Sequence, residues 1–405
     1  MELKELSKIG FGAYRVSVDN QSHFDAVTTA LKAGCNLIDT ASNYGQGKSE
    51  KLIGKVIADL ENRPFVITKA GYLDKSELDS FSQVMDEITI LDSNIIHSIN
   101  RNIIKYKIDR SLERLQSRKL DAFLLHNPEY YLRSLGSSKK IFYDRIRSSF
   151  EFLEELASSG VISYYGISSN SFIKRRDESD FVSLEKIIEI AKALTPSNHF
   201  KFIQFPLNIF ETGALDSNYG DLNLIELARS ENIKTIINRP LMAFYNKFPF
   251  KLVNKKISNE SVLRFSNSFY EFENSLGQDK RGEEIRKSDA FGVLKETWST
   301  IKSEAIASSI MDKNLGTLMN LTFNGDIPLD VTTAWFNLRR GVEINIQARI
   351  NDRSNRIKAD LFGTDSSESL QILCCKKYLT WNIDHILLGM RKVEYVEEFK
   401  TLFNN

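Results

Sequence analysis

The sequence predicts an α/β chain built as a (β/α)8 (TIM) barrel, with a long, mostly helical insertion between the seventh strand and the final helix–strand unit. Three observations carry that prediction. Seven short apolar runs recur through the first 250 residues. Stretches with helical spacing separate them. An eighth run, Ile386–Gly389, lies near the C-terminus. Strand–helix alternation implies a parallel sheet with right-handed crossovers, and eight strands suit a closed barrel.

The runs are Lys8–Arg15, Cys35–Ala41, Phe65–Gly71, Ala122–His126, Val161–Ser168, Phe202–Leu207 and Lys234–Asn238. Each is short and rich in Ile, Val, Phe or Leu, as expected of strands buried on both faces. Between them, Phe24-Val27-Leu31 and Leu52-Ile53-Val56-Ile57-Leu60 form stripes at spacings of three and four. Leu112-Leu115, Phe152-Leu153-Leu156 and Leu222-Ile225-Leu227 behave similarly. Residues 1–250 and 367–405 are thus assigned to the barrel, and residues 251–366 to an insertion at its rim, a lid or a partner surface. Within the insertion, Phe291, Leu294, Trp298, Ile301 and Ala305 predict one long amphipathic helix, and Val331-Ala334-Trp335-Leu338 a second.

Composition narrows the classes. Of 405 residues, 42% are hydrophobic and 26% charged, an ordinary globular balance. The net charge of +1 carries no electrostatic footprint for nucleic acid. No apolar run approaches the length of a membrane-spanning helix, and MELKELSKIG lacks the apolar core of a signal peptide. Three cysteines cannot build a disulfide framework, so reduced thiols and a cytoplasmic location are expected. No partner in nucleic acid or membrane is expected, and the chain should be a monomer or small homo-oligomer.

Two phosphate-loop signals fail. Gly47-Lys48-Ser49 would need a glycine at position 42, where Ser42 stands, and Gly10-Phe11-Gly12 lacks a third glycine. The common zinc signatures are absent, and only His126 of five histidines sits clearly at a strand end, so a metal-dependent hydrolase is a poor reading. His23, His97, His199 and His385 are assigned to helices or loops, as structural or exposed residues. Lys174-Arg175-Arg176 reads as solvated surface, and Lys255-Lys256 is too short a pair to suggest an anion site.

The informative signal is a set of polar residues at strand ends: Asp39, Lys69 and His126, with Tyr44 five residues beyond Asp39. In a parallel barrel the C-terminal strand ends meet on one face, where active sites lie. A tyrosine phenol has an unperturbed pKa near 10, and an adjacent ammonium lowers it. A carboxylate holds that ammonium, and a neutral histidine orients a carbonyl oxygen. The set can protonate an oxygen as hydride reaches its carbon.

These residues stand in a longer series. It runs Gly10-Phe11-Gly12-Ala13-Tyr14-Arg15, Asn36-Leu37-Ile38-Asp39-Thr40-Ala41-Ser42-Asn43-Tyr44-Gly45, then Ser49-Glu50-Lys51-Leu52-Ile53-Gly54 and Lys69. Next come Ser111-Leu112-Glu113-Arg114-Leu115, Leu120-Asp121-Ala122-Phe123-Leu124-Leu125-His126, Gly166-Ile167-Ser168-Ser169-Asn170, Ile203-Gln204-Phe205 and Leu388-Gly389-Met390-Arg391. In order and spacing the series resembles the aldo-keto reductase family, over about residues 6–245 and 367–403. The resemblance implies a barrel that binds NADP, with NAD as the alternative, and acts on a small carbonyl compound or sugar. By it, Tyr44 is the proton donor, Lys69 and Asp39 tune it, and His126 orients the carbonyl. Ser168, Ser169 and Gln204 match positions that hold the nicotinamide carboxamide. Backbone at Gly12, Ala13 and Tyr14 approaches the cofactor. Gly389, Met390 and Arg391 form the last cofactor-binding motif, and Arg391 suits the 2′-phosphate or pyrophosphate. Tyr395 and Glu398 fall where the family contacts adenine. Asn238 stands where many members stack an aromatic ring on the nicotinamide, and Arg239 is placed to meet cofactor phosphates or a substrate anion. The insertion motivates a second reading, a cofactor-binding regulatory or sensing protein with little turnover.

Overall fold

The computed structural model describes residues 3–92, 95–245, 248–254, 259–298, 300–301, 304–363 and 366–403. The chain divides into two compact units, Met1–Phe250 with Cys374–Asn405, and Lys251–Leu373.

The first unit is a closed barrel. Its strands are β1 (Ile9–Gly12), β2 (Leu37–Asp39), β3 (Phe65–Ala70), β4 (Leu120–His126), β5 (Ile162–Ser168), β6 (Phe200–Pro206), β7 (Lys234–Asn238) and β8 (His385–Leu388). They pair in the order β1-β8-β7-β6-β5-β4-β3-β2, every pair parallel. Each of the eight apolar runs supplies one strand. Helices α1 (Gln21–Lys32), α2 (Lys48–Ile57), α3 (Arg101–Leu115), α4 (Lys139–Ser158), α5 (Leu184–Leu194) and α6 (Leu224–Ser230) form the crossovers.

Helix starts follow local chemistry. The side chains of Asn20, Asn100, Ser183 and Asn223 each accept a backbone N–H from the first turn of α1, α3, α5 and α6. Helices α2 and α3 approach so closely that a Cβ at Gly54 would lie 2.3 Å from the Arg114 carbonyl oxygen. Beside that contact the buried Glu50 takes Arg114 at 2.9 Å and the Thr68 hydroxyl at 2.6 Å.

Period-two alternation sorts the strand residues. Leu37, Phe65, Ile67, Ala122, Leu124, Phe202, Ile236 and Leu387 meet as one buried cluster inside the barrel. Two residues further along the same inward rows come Asp39, Lys69, His126, Gln204 and Asn238. The apolar core therefore sits low in the barrel, and the polar set caps it at the C-terminal rim.

The second unit contains α7 (Asn259–Ser275), α8 (Lys280–Arg286), α9 (Asp289–Thr297), α10 (Glu304–Ser308), α11 (Thr317–Thr322) and α12 (Leu329–Phe362). Helix α13 (Leu370–Leu379) leads into β8, and α14 (Val393–Phe399) follows it. The second unit has its own core, in which Phe272 and Trp335 pack with ring centroids 5.7 Å apart. Val331, Ala334, Trp335 and Leu338 lie on α12 as the spacing predicts, with Val342 and Ile346 continuing the stripe. The single helix expected through 291–305 is instead α9 and α10. Thr297 and Thr300 turn their hydroxyls onto nearby carbonyls at 2.6 and 2.9 Å, which competes with the helix ladder. Arg349 then takes the Trp298 and Ile301 carbonyls at 2.9 and 3.0 Å. The Lys255-Lys256 pair lies outside the described residues. Among the described residues no helix is long and apolar enough to cross a membrane.

Two histidine placements are corrected. His385 opens β8, fully enclosed, with Nδ1 3.0 Å from the Ser7 carbonyl. His97 lies in a short antiparallel ribbon, Ile96–His97 against Thr89–Ile90. The eighth apolar run begins one residue earlier than its pattern shows, and the strand that holds His97 is only two residues long. In the basic run, Lys174 pairs with Asp180 at 2.6 Å, Arg175 with Asp177 at 3.2 Å, and Arg176 with Glu185.

Candidate active site

Two neighbouring strands place the ionic centre. Asp39 ends β2, and Lys69 sits one residue from the end of β3. The Lys69 ammonium donates to both carboxylate oxygens of Asp39, at 2.6 and 2.7 Å, and to the Thr40 carbonyl at 2.7 Å. An ammonium has three protons, so this set uses all of them. Burial pushes the Asp39 carboxyl up and the Lys69 ammonium down, each against the attraction of the other.

Tyr44 lies beyond β2 in the turn before α2. Its ring is 5.1 Å from the Lys69 Nζ and meets Tyr14 edge to face at 5.0 Å. Burial, and next the Asp39 carboxylate, push its phenol well above 10. The lowering expected from an adjacent ammonium is not found, because burial dominates at this phenol. The phenol therefore holds its proton.

His126 ends β4, its ring edge-on to Tyr44 at 6.0 Å and to Tyr72 at 5.1 Å. Burial and the Lys69 charge hold it well below 6.5, so it is neutral. Its Nδ1 is buried without a partner. Its backbone carbonyl receives His97 Nε2 at 2.7 Å. This contact requires Gly71, where a Cβ would stand 2.4 Å from that nitrogen and 2.5 Å from the carbonyl oxygen.

The next three strands continue the rim. His126 is in register with Ser168, and Ser168 with Gln204. The Gln204 amide donates to Asp39 Oδ2 at 2.7 Å and accepts the Ser168 hydroxyl at 3.0 Å. Asn238 Nδ2 lies 3.5 Å from the Gln204 oxygen, and Asn238 Oδ1 is buried without a partner. Ser169 is buried on the same turn. A carboxamide needs both donors and acceptors, and Ser168, Gln204 and the orphan Asn238 oxygen supply both. The residues present therefore fit a nicotinamide.

The remaining candidates are less concentrated. Ala13 is fully buried, its carbonyl accepting the Ser49 hydroxyl at 2.9 Å, whereas Tyr14 is largely exposed. A Cβ at Gly12 would come 3.3 Å from the Leu388 carbonyl, while at Gly389 it would meet nothing within 4 Å. Arg239 adopts φ +53° and donates to Glu211 at 3.0 Å, with its Nε buried and unpartnered. The Met390 side chain is fully buried, so only its backbone is available to a ligand. Arg391 is exposed, and among the described residues no carboxylate lies within ion-pair distance of it. Tyr395 and Glu398 lie on one face of α14, each half-buried.

Several residues of the rim were not singled out from the sequence. Tyr72 Oη accepts Asn127 Nδ2 at 2.6 Å and lies 3.0 Å from Tyr130 Oη. Glu129 is wholly buried beneath the turn that follows β5. Thr40 acts through a carbonyl, which no side-chain pattern reveals. Only the closeness of Asn127 and Glu129 to His126 in the chain gave a signal.

The model of the Aldo/keto reductase family matches residues 8–250, more than half of the chain. The chain is 26% identical over 239 residues to the aldo-keto reductase YhdN of Bacillus subtilis, 58% of this chain and 58% of that one. It is 26% identical over 170 residues to the NADH-specific methylglyoxal reductase of Escherichia coli, 40% of this chain and 48% of that one. It is 28% identical over 173 residues to a D-threo-aldose 1-dehydrogenase of a Pseudomonas species, 40% and 49% of the two chains. The chain spans about half the length of the curated relatives it matches. Among solved structures, the glycerol dehydrogenase AKR11B4 from Gluconobacter oxydans aligns with 98% of this chain and 86% of its own, at 16% identity and a TM-score of 0.49.

Proposed function

The chain belongs to the aldo/keto reductase family, and from that premise we propose that it is a NAD(P)H-dependent oxidoreductase acting on an aldehyde, a ketone or a sugar. The observation that carries the reading is the joining of Asp39, Lys69, Tyr44 and His126 at one end of the barrel, beside Ser168 and Gln204. When bound, the nicotinamide supplies the hydride. The protein's own groups do the rest. Tyr44 rests protonated, the form that gives a proton to the oxygen of a carbonyl. Neutral His126 offers a hydrogen bond to that oxygen without competing for the proton. Asp39 and Lys69 hold a fixed dipole under the phenol, so that charge developing on the Tyr44 oxygen meets an ammonium already in place. Ser168, Ser169, Gln204 and Asn238 orient the carboxamide. Gly12, Ala13, Tyr14, Arg239, Gly389, Met390, Arg391, Tyr395 and Glu398 supply the rest of the cofactor site.

NADP is the first choice of cofactor, because the unpaired Arg391 charge suits a 2′-phosphate. Titration of the full chain with NADPH and NADH tests this. Saturable binding of NADPH should weaken about tenfold in Arg391→Ala, roughly the value of one charge-assisted contact, with NADH little affected. Equal weakening of both would place Arg391 elsewhere. No binding of either at millimolar concentration would remove the reading. The D-threo-aldose and methylglyoxal relatives make small aldoses and 2-oxoaldehydes the first substrates to screen. A cytoplasmic monomer or small homo-oligomer fits the same reading.

A further inference from the structure

Glu129 is a buried acid with no part in the proton transfer at Tyr44. It lies on a short turn, Pro128–Arg133, which Asn127 enters in a left-handed conformation at φ +54°. That turn is tied to the carboxamide side of the rim. The Asn127 amide donates to the Ser168 carbonyl at 2.7 Å, and Asn170 Nδ2 donates to Asn127 Oδ1 at 3.2 Å. Glu129 itself is 0% exposed. Its Oε1 accepts the Asn170 backbone N–H at 2.9 Å, while its Oε2 is buried with no partner. The Ser169 hydroxyl beside it favours the charged form. A side chain placed only to tie down this turn needs one oxygen, and an amide would serve without the cost of burying an acid.

We infer that Glu129 is a positioning residue that selects the redox form of the cofactor: its carboxylate, set against the Ser169–Asn170 turn, favours the oxidised nicotinamide over the reduced one. The inference rests on the cofactor reading above. The physical reason is charge. An oxidised nicotinamide ring carries one positive charge and the reduced ring none, and inside a protein a carboxylate close to the ring discriminates between them.

The group also sits where pH can switch it. Burial raises the Glu129 carboxyl to about 7. Arg133 on the same turn opposes this, but its guanidinium is engaged by Asp180 at 2.8 Å, and Lys174 shares that aspartate. From the loop after β3, the Tyr72 phenol is held up by burial, then by the Tyr130 hydroxyl and least by the Glu129 carboxylate, and stays neutral. His126 and Tyr44 titrate well away from neutrality, and His97 is pushed down to about 4. Below pH 7 Glu129 is a neutral acid and the two cofactor forms are treated alike. Above it, the carboxylate holds the oxidised form more tightly.

The test is the dissociation constant of NADP+ and of NADPH for the full chain between pH 6 and 8.5, by protein fluorescence, in the native protein and in Glu129→Gln. The amide keeps an acceptor for the Asn170 N–H and removes the charge. The 2′-phosphate titrates in both cofactors, so it cancels in the ratio of the two constants. That ratio should move toward NADP+ by about tenfold across the range, the linkage of one pKa unit, and stay flat in Glu129→Gln. Proton counting by calorimetry in two buffers near pH 7 is the second measurement, should the variant not fold. NADP+ binding should release more protons than NADPH binding. A flat ratio in the native protein, a Glu129→Gln ratio that still moves, or equal proton counts overturns the inference alone. Failure of either cofactor to bind overturns it together with the reading it rests on.

Discussion

At the residue scale, the arrangement turns on how few free valences the ionic centre leaves. Lys69 is fully enclosed and spends its three protons on Asp39 and Thr40. Removing one partner strands the other, which costs about 3–5 kcal/mol for a buried pair. Asp39→Asn should therefore lower unfolding stability by roughly that amount at pH 7, read from denaturant unfolding followed by circular dichroism. The sign of its pH dependence is fixed by the ammonium. Without Asp39, the folded state holds Lys69 with a depressed affinity for its proton, while the unfolded state binds one normally. The unfolded state then binds more protons, so stability rises with pH and the deficit should shrink toward pH 10. An unchanged midpoint in Asp39→Asn would mean that the pair adds nothing to folding.

At the element scale, the barrel strands were legible because each one buries both faces and so reads as a short apolar run. The helices were legible where one face is apolar. Helix α5 went unassigned although Leu184, Ile187, Ile188 and Ala191 bury one face of it. The site residues were legible because period-two alternation carries the inward row of each strand from core to rim. Residues that act through backbone, such as Thr40 and Gly71, left no trace in the pattern. The strand that holds His97 is two residues long, too short for periodicity to register. Close packing is likewise legible only in the structure. Gly54 lets α2 lie against the Arg114 carbonyl, and Gly54→Ala should cost about 1–3 kcal/mol by overpacking, lowering the melting temperature. A gain in stability, as expected of alanine in an unobstructed helix, would show that α2 and α3 can separate at no cost.

At the scale of the whole molecule, buried neutral histidines set the acid limit. His97 and His385 are pushed down from 6.5 to about 4 by burial. Between those values the unfolded chain binds protons that the folded chain does not. Stability is therefore full above about pH 6.5 and falls as pH drops toward 4, by up to about 3 kcal/mol for each histidine. Denaturant midpoints at pH 7.5 and pH 5 should differ accordingly, and His385→Asn should reduce the difference. Equal midpoints would contradict the assigned burial. On the proposed mechanism the barrel rim transfers a proton through Tyr44, and cofactor binding does not depend on that step. The direct measurement compares Tyr44→Phe with the native protein for NADPH binding and for NADPH-dependent reduction of a reactive small aldehyde. In Tyr44→Phe the NADPH dissociation constant should stay within about threefold of native, and reduction should fall by about 10²-fold or more, within the range of general acid catalysis. Reduction at the native rate in Tyr44→Phe would contradict that mechanism.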